Sequence, residues 1–392
     1  MDVTLTHSPE MTLLLSTCTL DASDEKEAQL ALFLQQHSID WNRLFALANR
    51  HRITPFLYRT LQKIPTAPED FLKALYQSSR ATATDNLLKL REYHVLRERL
   101  IENGIDHIVL KGIHLADQYY PDSSLRISGD IDILVRKEDV FKTIQVAQAN
   151  QFHLNQQHSL HALHGEQTML NELFEVSLFK PFFNNTYFDV DLHWDIMCFN
   201  RHYALFDLPF VRSQPALATE LDIILIVTHH GVNNVWQHIY YINDLYFLLA
   251  SKPINWPVLM NYLQQYGLER VFLAGVYWCR KIWNLSLPDS IEPLVSSKEI
   301  SRLANAYARN WKTSESKEFS SLVLSQLTFF FRAQTGFRKQ LKVGYTFFSS
   351  RLFRYSTFTI GKRRIYVPKE LGFITIFIRA VQSLWRFLPD KR

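Results

Sequence analysis

At 392 residues, with 47% hydrophobic and 14% aromatic side chains, the chain can form two or three cores and is too apolar for a disordered protein. Cys18, Cys198 and Cys279 lie too far apart for a disulfide framework or a thiolate zinc site, which suits a reducing cytoplasm. The net charge of +5 hides an asymmetry: from Arg332 onward 14 Lys or Arg face only Glu370 and Asp390, while the preceding body has 29 basic and 36 acidic residues.

In chain order, residues 1–100 read as a helical region. No basic leader precedes its first apolar stretch, and no run of about 18 uncharged apolar residues follows anywhere, so neither a signal peptide nor a membrane span is expected. "KEAQLALFLQQH" and "WNRLFALANRHR" keep apolar residues three and four apart, with N-cap chemistry at Ser38 to Asp40. "PEDFLKALYQSSRATATDNLLKLREYHVLRERLIENG" predicts one or two long helices closed by Gly104.

Residues 101–215 alternate: strand "IDHIVLKG", helix "IHLADQYYPD", strand "GDIDILVR", helix "KEDVFKTIQVAQANQ". Strands "FEVSLFK" and "TYFDVDLHW" follow, with a turn expected at Asn184-Asn185. Residues 216–330 are helical again, with one helical pattern running on from Thr219, and 331–392 form the basic, aromatic-rich tail. The fold class expected is α+β, a small mixed sheet flanked by helical regions.

Alternate strand residues share a face, so Asp130 and Asp132 point one way while Ile131, Ile133 and Val135 point into a core. Asp189, Asp191 and His193 likewise share a face opposite Val190, Leu192 and Trp194. Acids facing acids repel unless a cation lies between them, and oxygen ligands suit Mg²⁺ or Mn²⁺. The plainer alternative is a pair of solvent-facing strands. Against it, Asp is disfavoured in strands, and "VLKG" ends a nearby strand with a glycine that leaves the backbone open to a phosphate.

His153, His158, His161 and His164 suggest a polar loop over the pocket rather than a zinc site. His229, Trp236, Tyr240 and Asp244 recur at helical spacing, as a buried polar stripe or as an acceptor or base contact, and His230 shares that ambiguity. The tail's last segment, apolar but broken by Arg379 and Arg386, reads as an interfacial helix or as a packed helix with a solvated basic face.

"LKGIHLADQYYPDSSLRISGDIDILV", then "VDLHW", then "HH" with Trp236 and Asp244 downstream, is similar to an uncharacterised nucleotidyltransferase-like family of bacteria, within the DNA polymerase β-like superfamily. The resemblance spans roughly residues 35–290 and implies a nucleotidyltransferase core in which Asp130, Asp132 and Asp191 hold metal and Asp191 also serves as base. Asp189 competes for the third place, and His193 would support the carboxylate or touch substrate. Lys111, Gly112 and Gly129 would bind the nucleotide, with Arg126 neutralising a phosphate oxygen. Lys-Gly replaces the superfamily's usual Gly-Ser, and 17 residues separate Gly112 from Asp130, a long loop. The implied partners are a nucleoside triphosphate and an unidentified acceptor. A membrane or other anionic partner for the tail would place the protein in the cytoplasm or peripherally on the inner membrane face. A sugar-nucleotide glycosyltransferase and a non-catalytic adaptor are the rival readings.

Overall fold

The computed structural model describes residues 8–19, 24–155, 165–182, 186–198, 203–312, 319–353, 356–360, 363–374 and 377. Helices α1 (Pro9–Thr17), α2 (Asp24–Gln36), α3 (Trp41–Arg50) and α4 (Thr54–Leu61) open the chain. Asp40 caps α3 by accepting the Arg43 N–H at 3.0 Å. The next pattern forms a single helix, α5 (Glu69–Glu102), since no Pro or Gly interrupts it before Gly104 turns left-handed at φ +66°.

A five-stranded mixed sheet follows, built from β1 (His107–Leu110), β2 (Ile131–Val135), β3 (His153–Leu154), β4 (Glu175–Pro181) and β5 (Tyr187–His193) in the order β1-β2-β5-β4-β3. Only β2 and β5 run parallel. Helices α6 (Lys111–Gln118), α7 (Val140–Ala149) and α8 (Glu166–Glu172) connect the strands. Strand periodicity sends Ile131, Ile133, Val190 and Leu192 into a core shared with Leu96 and Leu100 of α5 and with Ile144 of α7. Leu134 points the opposite way, into a second core formed by the helices. Strand β2 is therefore covered on both faces, and Asp132, on the Leu134 side, is drawn inside with it.

Beyond a short ribbon of β6 (Ile196–Cys198) and β7 (Tyr203–Phe206) come α9 (Leu208–Ser213) and α10 (Ala218–Ile226), which passes into a π-helical segment, Val227–Asn233. Then follow α11 (Ile239–Ser251), α12 (Trp256–Gln265), α13 (Glu269–Trp283), α14 (Glu292–Val295) and α15 (Lys298–Ala308). Their apolar faces share one core with α1, α3 and α4. His51 helps to hold that core together: its Nδ1 accepts the Ile239 N–H at 3.2 Å and its Nε2–H donates to the Trp311 carbonyl at 2.9 Å.

The single helical pattern expected from Thr219 is broken, and this corrects the predicted face of His229, Trp236, Tyr240 and Asp244. Val235 and Trp236 take φ +51° and +46°, folding the Trp236 ring back over Gly231. A Cβ at Gly231 would lie 2.9 Å from that ring, so only glycine leaves the space. The basic region contains α16 (Phe319–Ala333), α17 (Phe337–Leu352) and a hairpin of β8 (Ser356–Ile360) with β9 (Arg363–Val367). His158, His161, His164, the Asn184-Asn185 turn, Arg379 and Arg386 lie outside the described residues. Among the described residues no helix is long and apolar enough to cross a membrane.

Candidate metal and nucleotide site

Parallel pairing of β2 with β5 sets Asp132 beside Asp191, and Asp130 immediately precedes β2. One carboxylate oxygen from each of the three lies within 4.8 Å of the others. Such crowding needs positive charge. Lys111 Nζ supplies some, 2.7 Å from Asp132 Oδ1, and His193 Nε2–H donates to the same oxygen at 3.0 Å. The other ring nitrogen of His193 lies 3.2 Å from Glu175 Oε2. Burial opposes charge on His193, but Asp132 and Glu175 outweigh it and hold its pKa above the usual histidine value.

Burial also opposes ionisation of Asp132, yet Lys111 and His193 keep its pKa well below the usual carboxylate range. Asp191, desolvated and facing the charges of Asp132 and Asp130, is pushed up to about 6. One atom is left over. Asp132 Oδ2 is buried with no hydrogen-bond partner among the described residues. An ionised oxygen in that state is costly unless a cation meets it, so the residues present fit a divalent ion bound by oxygens.

The Lys111-Gly112 turn brings the ammonium to this cluster. Lys111 has φ +40° and Gly112 φ +26°, and a Cβ on Gly112 would sit 3.0 Å from the Asp130 carbonyl oxygen. A left-handed lysine is rare and costs strain, which surrounding contacts must sustain. Arg126 provides one: its Nη1 donates to the Gly112 carbonyl at 2.8 Å. This corrects the phosphate contact expected of Arg126. Its guanidinium is buried, forked onto both oxygens of Asp244 at 2.8 Å, and outside the cleft lining. With Ser128 Oγ accepting a further Nη1 N–H at 3.3 Å, four of its five N–H donors are engaged inside the protein, and its charge is already paired with Asp244.

Asp244 is the far end of the same brace. Tyr120 donates to its Oδ1 and His230 Nε2–H to its Oδ2 at 2.8 Å, so it is an internal anchor, enclosed away from any acceptor. With Nε2 protonated, His230 Nδ1 must accept, and it takes the Nδ1–H of His229 at 2.9 Å. His229 is then left with a bare Nε2. Burial drives its pKa well below the ordinary histidine value, so the ring stays neutral. The π-helical segment sets these two histidines in different environments: His229 lines the cleft, while His230 reaches Asp244.

The cleft beside the carboxylates has a volume of about 240 Å³. Lys111, Asp130, Asp191, His193 and His229 supply its polar lining, and Leu110, Ile196 and Leu225 are among its apolar walls. Asp189 lies two residues before Asp191 on the same strand face, outside the triad, and burial and the Asp130 charge raise its pKa. Gly129 faces Arg52, whose Nη1 would be 3.9 Å from a Cβ at that glycine. Sequence reasoning did not single out Glu175, Tyr120 or Arg52. The antiparallel register that pairs Glu175 with His193 is the signal for Glu175, and it emerges only once the strands are aligned.

Residues 37–284 match the model of a family described as uncharacterised nucleotidyltransferases. The chain belongs to this family. No curated protein and no solved structure matches the chain. As a member of this nucleotidyltransferase family the chain is assigned to nucleotidyl transfer in general, and Asp130, Asp132 and Asp191 form an acidic triad able to hold a metal ion.

Proposed function

We propose that this protein is a member of the DNA polymerase β-like superfamily that moves a nucleoside monophosphate from a nucleoside triphosphate to an acceptor. Mg²⁺ or Mn²⁺ would be held by Asp130, Asp132 and Asp191. The observation that carries the reading is the buried, unpartnered Asp132 Oδ2 within the acidic triad, beside an open cleft. A bound divalent ion would neutralise phosphate charge and polarise the reacting phosphoryl group.

The chain's own residues would do the rest. Lys111, already at the cleft, would meet a phosphate oxygen, and Gly112 and Gly129 keep the loop backbone free of side chains. Exposed Arg52, beside Gly129, takes the phosphate role expected of Arg126. An acceptor oxygen attacks the α-phosphorus in line: a new P–O bond forms, the α–β P–O bond breaks, and pyrophosphate leaves. The acceptor proton passes to Asp191 or to the bare Nε2 of His229. The basic carboxy-terminal region adds an anionic partner.

Calorimetric titration with each nucleoside triphosphate plus Mg²⁺, followed by α-labelled nucleotide and cell extract, tests this reading. Binding of at least one nucleotide and transfer of label are expected. Absence of heat with every nucleotide would remove it, and heat with sugar nucleotides alone would favour glycosyl transfer. Arg52→Ala should weaken nucleotide binding, whereas His229→Ala should lower turnover and leave that binding unchanged.

A further inference from the structure

Twenty large hydrophobic side chains are exposed among the described residues, and twelve of them lie from Leu324 onward. That concentration lies outside the part of the chain matched to the family. Five belong to α17: Phe337, Leu341, Tyr345, Phe348 and Leu352, exposed by 71%, 54%, 76%, 60% and 39%. At about 100° per residue they fall within one arc of roughly 80° on the helix. Val343, Thr346 and Phe347 point the other way and are buried, so α17 is fixed to the body by one side and presents the other outward. Monomeric proteins seldom display such a stripe unless something covers it.

Charge says what covers it. Exposed Arg338 and Lys342 follow the stripe along one edge, exposed Lys339 lies beyond them, and no acidic residue occurs from Phe319 to Lys369. An uncharged aromatic and aliphatic strip edged by cations matches a bilayer, with apolar groups among acyl chains and basic groups among anionic headgroups. At 16 residues α17 is about 24 Å long, so it suits lying along the surface rather than crossing it.

We propose that the outward face of α17 is a docking surface for an anionic lipid bilayer, with Phe337, Leu341, Tyr345, Phe348 and Leu352 entering the interface. This rests on the anionic-partner reading of the basic region but not on the chemistry of the cleft, so vesicle binding and nucleotide binding succeed or fail separately. The test is flotation of the full chain with phosphatidylcholine vesicles, with and without 30% phosphatidylglycerol, at low and high salt. Recovery with anionic vesicles should exceed that with neutral ones by about ten-fold and fall with salt.

Two variants divide the surface into its parts. The triple change Phe337→Ser, Tyr345→Ser, Phe348→Ser and the pair Arg338→Glu, Lys342→Glu should each reduce flotation about ten-fold or more. Their thermal unfolding and nucleotide binding, measured alongside, should stay unchanged. Equal flotation of the variants and the parent, or none of the parent, overturns the proposal. A parent that fails to float but sediments as a dimer, with the triple variant monomeric, would assign the face to a second copy instead. A parent that neither floats nor self-associates would mean the chain covers this face itself.

Discussion

Asp132 and Asp244 are each 1% exposed, and each is flanked by one long basic side chain and one histidine. Around Asp244 the fork of Arg126, the Tyr120 hydroxyl and His230 satisfy both carboxylate oxygens. Around Asp132, Lys111 and His193 both crowd onto Oδ1 and leave Oδ2 without a partner. Two further carboxylates, Asp130 and Asp191, stand beside the unfinished one. Similar ingredients thus give a closed structural knot in one place and, in the other, an open acidic cluster able to hold a cation. Saturation of the acceptor atoms separates them more sharply than burial or charge does.

The comparison can be broken most forcefully at its closed end. Asp244→Ala should cost about 3–5 kcal/mol in chemical denaturation, because Arg126 is left buried and unpaired. A loss below about 1 kcal/mol would show that Arg126 finds another partner. At the open end, Asp132→Asn should leave the fold intact and abolish the thermal stabilisation that Mg²⁺ gives the parent. Nucleotidyl transfer should fall by roughly 10²–10³, and retained Mg²⁺ stabilisation would count against the triad.

Histidine titration sharpens the contrast. Burial, against the pull of Asp244, brings His230 down to about 4, so the unfolded state binds its proton more readily than the folded one. Its contribution is therefore complete above the unfolded value near 6.5 and is lost as pH falls toward 4. Between pH 6.5 and 5 the parent should lose about 1.6 kcal/mol relative to His230→Gln in denaturation curves. Parallel pH profiles for the two proteins would remove His230 from the account. The smallest effect is expected at Gly112→Ala, about 1–2 kcal/mol from the left-handed backbone and the Asp130 carbonyl oxygen.

Much of this contrast was legible in the sequence at the open end and little at the closed end. D-x-D and D-x-D-x-H advertise same-face acids because strand geometry fixes side-chain direction locally. Arg126 and Asp244 are 118 residues apart, and nothing local shows that one will occupy the other. An arginine near a phosphate loop reads as a phosphate ligand until a buried carboxylate from another helix takes its donors. Helical spacing failed at His229 to Asp244 for a related reason. A π-helical segment and two left-handed residues, stabilised by packing of Trp236, override a pattern that local propensity would continue. The sheet, by contrast, depends on repeated apolar alternation, which the sequence states several times over.

Lys111 gives the acidic cluster a counter-charge that belongs to the chain itself. With its ammonium on Asp132, and with Asp132 and Glu175 raising the pKa of His193 between them, the acidic cluster carries counter-charge of its own. The chain can therefore complete its fold before it encounters an ion, and chelation should withdraw chemistry without melting the protein. Were the cluster to take an ion, assembly and activation would be separate events, the first written into the polypeptide and the second left to the composition of its surroundings.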